Sequence, residues 1–289
     1  MNPASRFHSH AIRSIAIYAA VLIGATVSVS ALANHSWGGY HWARTTTPFT
    51  LQLGNNLTSV DWRFSFHTAS EDWNSPPESS TPIWTLAVTG GANRRCSMVK
   101  GTTQVCNGKY GKNGWLGLAT IYISGDHITQ GSAKMNDTYL SAATKYNNPN
   151  ERQHVMCQEI AHTFGLDHQS EDGKSLNTCM DYFSNTGANA TSTLSISPNT
   201  HDFEQLNFIY DEHLDSTTTV ASSAASAAST TPDLSDDPIS WGTLMRQSAD
   251  GRSSIYERYN RDGTHTLTHV YWTEETASAC PSCDHRVYR

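Results

Sequence analysis

Beyond its N-terminal segment the chain has no hydrophobic run long enough to cross a bilayer, so no transmembrane helix is expected once that segment is gone. Positive charge is also scarce. In 289 residues, 19 Lys and Arg stand against 26 Asp and Glu, a formal charge of −7. That balance argues against nucleic acid or an anionic membrane surface as a partner. Residues 216–237, STTTVASSAASAASTTPDLSDD, have almost nothing that could fill a core and read as a flexible low-complexity linker.

At the N-terminus, Arg6 and Arg13 precede the apolar run Ile15 to Val27, and Ala31-Leu32-Ala33 offers the small residues of a cleavage site. Residues 1–33 are therefore expected to be a signal peptide. Their removal takes away two arginines and no acid, moving the charge from −7 to −9. The mature chain is expected to be soluble and secreted, extracellular or periplasmic, with no membrane contact after cleavage. In that compartment its six cysteines are expected to form disulfides. Fifteen connectivities are open, and local loop closure favours the sequential one, Cys96–Cys106, Cys157–Cys179 and Cys280–Cys283.

The linker divides the chain into a main domain over 34–215 and a small β-rich appendage over 238–289. In the main domain, PFTLQLG, TPIWTLAVTG and GLATIYISG read as strands. SVDWRFSFHTASEDW reads as a helix with Val60, Phe64 and Trp73 on one face. The clearest helix runs from about Asn150 to Phe164, with Pro149 before it and Gly165 after it. A last helix is expected over about Asn199 to Leu214, after Ser197-Pro198. In the appendage, SSIYERYNRDGTHTLTHVYW reads as a hairpin turning at Asp262-Gly263.

The clearest helix contains HVMCQEIAHTFGLDHQ, residues 154–169. Gln158 and His162 lie one turn apart on one face, the spacing at which helices present metal ligands. Glu159 is offset by about 100°, where a carboxylate can act as a base without ligating. Gly165 lets the chain leave the helix abruptly, so that His168 can fold back as a third ligand. Three protein ligands with an open position is the pattern of a catalytic zinc site. His154 stands about 12 Å along the axis from His162, too far to share an ion with it and His168.

QEIAHTFGLDH resembles the long zinc-binding consensus of the metzincin metallopeptidases, H-E-x-x-H-x-x-G-x-x-H. It matches at Glu159, His162, Gly165 and His168 and departs at Gln158. TCMDYF is similar to the methionine turn that follows in that family, with Met180 in the turn and Tyr182 where some branches aim a tyrosine at the metal or the transition state. The resemblance is specific over 154–183, looser over 49–215, and does not reach the linker or appendage. It implies an α/β (α+β) zincin domain with a mixed, mostly parallel sheet, a Zn²⁺ cofactor on Gln158, His162 and His168, and Glu159 as general base on a polypeptide substrate.

Simpler readings cover other residues. His35, His41 and His213 receive no role, Met180 is a packing residue under any function, and the terminal CPSC is a small structural bridge. The runner-up for function is a secreted pseudoprotease that binds peptide without cutting, because the neutral amide of Gln158 is a poorer zinc donor than imidazole. A metal-holding structural module is a third reading.

Overall fold

The computed structural model describes residues 35–77, 80–90, 95–210, 213–222 and 236–287. The expected signal peptide and residues 223–235 of the linker lie outside them. The described residues form a mixed α/β fold of nine strands and five helices. The strands are β1 (His41–Trp42), β2 (Phe49–Asn56), β3 (Ile83–Thr89), β4 (Thr102–Gly108), β5 (Trp115–Ser124), β6 (His127–Asn136), β7 (Thr243–Gln247), β8 (Ser253–Tyr259) and β9 (His265–Trp272). The helices are α1 (Val60–Trp73), α2 (Asp137–Leu140), α3 (Pro149–His162), α4 (Thr200–Tyr210) and α5 (Glu274–Ala279).

All nine strands belong to one sheet, ordered β3-β2-β4-β6-β5-β9-β8-β7, with β1 beside β6. The β1–β6, β2–β3, β2–β4 and β4–β6 pairings are parallel. From β5 onward every pairing is antiparallel. The sheet is thus mixed in two halves rather than mostly parallel.

Local chemistry accounts for the helices that frame it. Ser59 caps α1 by accepting from the Trp62 N–H, and Asn148 caps α3 by accepting from the Glu151 N–H. Each cap contributes about 1 kcal/mol. Pro149 opens α3 where no backbone donor is needed. The buried face of α1 is Trp62, Phe66, Ala69 and Trp73, whereas Val60 and Phe64 are exposed. This corrects the expected phase: Val60 and Phe64 each lie two residues, about 200°, around the helix from Trp62, so their side chains project away from the stripe that packs inward. Trp73 then packs edge-on to Phe164 and against Phe203, joining α1, the end of α3 and α4.

Two central strands, β4 and β6, were not expected. Their sequences, TTQVCNG and HITQGSAKMN, are too polar to read as core, yet nearly all of both is buried. The polar groups find partners inside: Asn136 donates to the carbonyls of Gly111 and Trp115, and Thr103 donates to the Thr163 hydroxyl.

The segment read as an appendage, 238–289, contributes three strands to this same sheet through its described residues. All eight residues of β9 are buried, and β9 pairs with β5 from Trp115↔Trp272 to Ile123↔His265 and with β8 on its other edge. Trp115, Leu118, Trp241, Tyr256, Val270 and Trp272 pack as a second core cluster. Burying an aliphatic chain such as Leu118 or Val270 is worth about 1.5–3 kcal/mol, so this seam binds the segment strongly. Disulfides join Cys96 to Cys106, Cys157 to Cys179 and Cys280 to Cys283. Among the described residues no helix is long and apolar enough to cross a membrane.

Candidate metal centre

His162 is the last residue of α3. The chain then turns at Gly165, whose φ of 97° suits glycine, and where a Cβ would strike the Tyr40 carbonyl. This sharp exit brings His168 back beside His162, their ring centroids 4.6 Å apart. The third imidazole comes from β9: His269 lies 4.0 Å from the His162 ring and 4.8 Å from the His168 ring. Each of the three offers a ligand nitrogen within 4.8 Å of the others, a group able to hold a metal ion.

Hydrogen bonds orient the rings. His162 Nδ1 lies 2.8 Å from the Leu166 carbonyl, which can only accept, so Nδ1 carries the proton and Nε2 is left as a bare lone pair. That Nε2 is buried with no hydrogen-bond partner. His168 Nδ1 lies 3.3 Å from Asp167 Oδ1, and His269 Nδ1 lies 3.2 Å from Glu159 Oε2. The Nε2 atoms of these two rings lie 2.9 and 3.2 Å from the Tyr182 hydroxyl. A carboxylate or carbonyl on Nδ1 is how metal-binding histidines are held; of the three Nε2 atoms, that of His162 is without a partner and the other two face the Tyr182 hydroxyl. The orphaned Nε2 and the convergence of the rings fit a bound metal ion.

Glu159 projects beside the imidazoles. Its Oε1 is buried without a partner, and a Cβ at Gly117 on β5 would strike that carboxylate, so glycine is required opposite it. Burial pushes the Glu159 carboxyl well above its ordinary value and the His162 and His269 imidazoles well below theirs. At His168 burial opposes protonation, but hydrogen bonds to Asp167 and Glu171 outweigh it and raise the imidazole above its ordinary value. Asp167 is fixed in turn by Arg246 on β7, whose Nη2 lies 2.6 Å from each carboxylate oxygen. Burial also raises the Tyr182 phenol.

Gln158 has other partners. Its Nε2 donates to the Cys179 and Asp181 carbonyls at 2.9 and 3.0 Å, anchoring α3 to the turn that carries Met180, while Oε1 is buried without a partner. The Cys157–Cys179 disulfide ties the same two segments. Met180 is fully buried, and its carbonyl accepts from the Gln169 N–H at 2.7 Å. His154 is spent on Asn185 and the Asp181 carbonyl.

The structure thus assembles Glu159, His162, His168 and Tyr182 and adds His269 and Arg246, which sequence reasoning missed. The alternation in HTLTHVYW does place His265, Leu267, His269 and Tyr271 on one strand face. Nothing in that stretch says which other strand it meets. The chain matches no protein-family model, and a search of curated proteins finds no match.

Proposed function

We propose that the chain is a secreted zinc-dependent endopeptidase of the metzincin type, with the ion on His162, His168 and His269 and Glu159 as general base. The observation that carries this is the set of three imidazoles within 4.8 Å, with the Nδ1 atoms engaged by a carbonyl or carboxylates and an orphaned Nε2 on His162. A bound Zn²⁺ would supply Lewis acidity, polarising the scissile carbonyl and making water a stronger nucleophile.

The protein groups do the rest. Glu159 takes a proton from the attacking water as its oxygen bonds to the carbonyl carbon, then passes that proton to the amine nitrogen as the C–N bond breaks. Tyr182 has its hydroxyl beside His168 and His269, placed to donate to the oxyanion that forms. Asp167 and Arg246 hold the His168 ring in line.

Access distinguishes this reading from the runner-up. Glu159, His162 and His269 are fully buried, and β9 occupies the edge of β5 that an extended peptide would need for pairing. A surface cleft beside the cluster is lined by Trp37, which stacks on His162, and by Asp167 and Arg246. Turnover therefore requires β9 or Trp37 to move, and this burial is what favours the non-cutting pseudoprotease as the second reading. The test is hydrolysis of an unstructured fluorogenic peptide by the full chain. Cleavage that a chelator abolishes and Zn²⁺ restores supports the peptidase; zinc binding with no cleavage supports the pseudoprotease.

A further inference from the structure

We propose that His41, His127, His213 and Asp215 form a second divalent-cation site, suited to Zn²⁺, which fastens the chain after α4 to the ends of β1 and β6. It shares no residue with the first centre.

Three imidazoles converge on one carboxylate. His127 Nε2 lies 3.0 Å and His213 Nε2 3.6 Å from Asp215 Oδ1, and His41 Nε2 lies 3.7 Å from Oδ2. The His41 ring stands 5.0 Å from both the His127 and the His213 rings, edge-on to each. His41, His213 and Asp215 can each present a ligand atom within 4.8 Å of the others.

The observation that points to a ligand is His41. Its Nδ1 lies 2.9 Å from the Gly39 carbonyl, an acceptor only, so Nδ1 carries the proton and Nε2 is a lone pair. That Nε2 is buried, with no hydrogen-bond partner, and the residue is only 5 % exposed. It faces a carboxylate oxygen, also an acceptor. Arg44 supplies donors to that oxygen, but the His41 lone pair has none, which burial makes unfavourable unless a cation or a second proton lies on it.

The carboxylate is braced for the task. The Arg44 backbone N–H and Nη1 lie 3.1 and 3.3 Å from Oδ2, which leaves Oδ1 toward His127 and His213. Two imidazoles and a carboxylate within reach of one another, with His127 on the same carboxylate, make a borderline N/O donor set suited to Zn²⁺. Such an ion would clamp 213–215 beside β1, where Thr219 already donates its backbone N–H to the Ala43 carbonyl.

The test uses the full chain, stripped by chelator and titrated with Zn²⁺ and, for its visible absorption, Co²⁺. The half-exposed His213 is changed to Asn, and His41→Gln is the second variant. Both should bind one equivalent fewer than the parent and lose part of its zinc-dependent rise in melting temperature. His269→Ala should lose a different equivalent, so the two centres are scored separately. Equal stoichiometry and affinity in the parent, His213→Asn and His41→Gln would overturn the site and assign the His41–Asp215 contact to a second proton on His41.

Discussion

Residues 149–183 and 236–287 meet at one cluster of candidate metal ligands but are placed there by different physics. The first region holds Glu159, His162, His168, Met180 and Tyr182 in one helix and the turn beside it, fixed by helical spacing, by Gly165 and by the Cys157–Cys179 bridge. The second holds His269 and Arg246 on separate strands, fixed by register: His269 stands opposite Ala119 of β5. A helix ligand is tied to its neighbour four residues away. A strand ligand is lost to the opposite face by a slip of one residue. The centre therefore combines a locally encoded half with a half that exists only when the whole sheet has formed.

The sharpest probe of that comparison is Glu159→Ala in the helical half. It should lower kcat/KM for peptide hydrolysis by about 10²–10⁴-fold while leaving the metal bound, since it removes the proton acceptor and no ligand. Unchanged hydrolysis would place the base elsewhere.

Next in size is the contest between the two regions for the third ligand. His269→Ala should weaken zinc binding at the first centre by about 100-fold or more, whereas Gln158→Ala should change it by only a few fold, because the Gln158 amide nitrogen is committed to the Cys179 and Asp181 carbonyls. Competition with a chromophoric chelator measures both. An equal loss in the two variants would put the orphaned Gln158 oxygen on the metal.

A third effect lies where the regions touch electrostatically. Burial pushes the Glu151 carboxyl from 4.5 to about 7, only partly offset by the charge of Arg252. A raised carboxyl pKa in the folded state favours the protonated form. Its contribution is intact below about pH 4.5 and lost as pH rises through 7. Glu151→Gln, whose amide oxygen can still accept from the Asn185 N–H, should therefore gain on the parent across that window, by about 2–3 kcal/mol at pH 8 relative to pH 4.5. Chemical denaturation at both pH values checks this, and a pH-independent difference would contradict it.

The smallest expected effect is Arg246→Ala. Releasing Asp167 should loosen the His168 ring and weaken zinc binding by about 10-fold, read by the same chelator competition. No change would mean that Asp167 orients His168 unaided.

How much of this was legible in the sequence follows from the range of the interactions. The end of α3 was readable because Pro149, the apolar positions 155, 160, 161 and 164, and Gly165 act within a few residues of one another. The face of α1 was mis-phased because Val60 and Phe64 are apolar yet exposed, and no local signal separates them from the buried Trp62 and Phe66. Strands β4 and β6 were hidden because their polar side chains are satisfied by groups far along the chain, such as Asn136 by the Trp115 carbonyl.

By itself the sequence determined the helix with Glu159 and His162, the turn that returns His168, and the segment carrying Met180 and Tyr182, because helical period and glycine backbone freedom are properties of neighbouring residues. Only the tertiary structure decided that His269 completes the cluster, that Gln158 points its amide nitrogen at the turn, and that His41, His127 and His213 gather on Asp215. Those outcomes depend on the pairing of β9 with β5 and on the path of the chain after α4. Strand pairing joins backbones about 150 residues apart through hydrogen bonds that every residue but proline can make, so no side chain near His269 announces the partner it will meet.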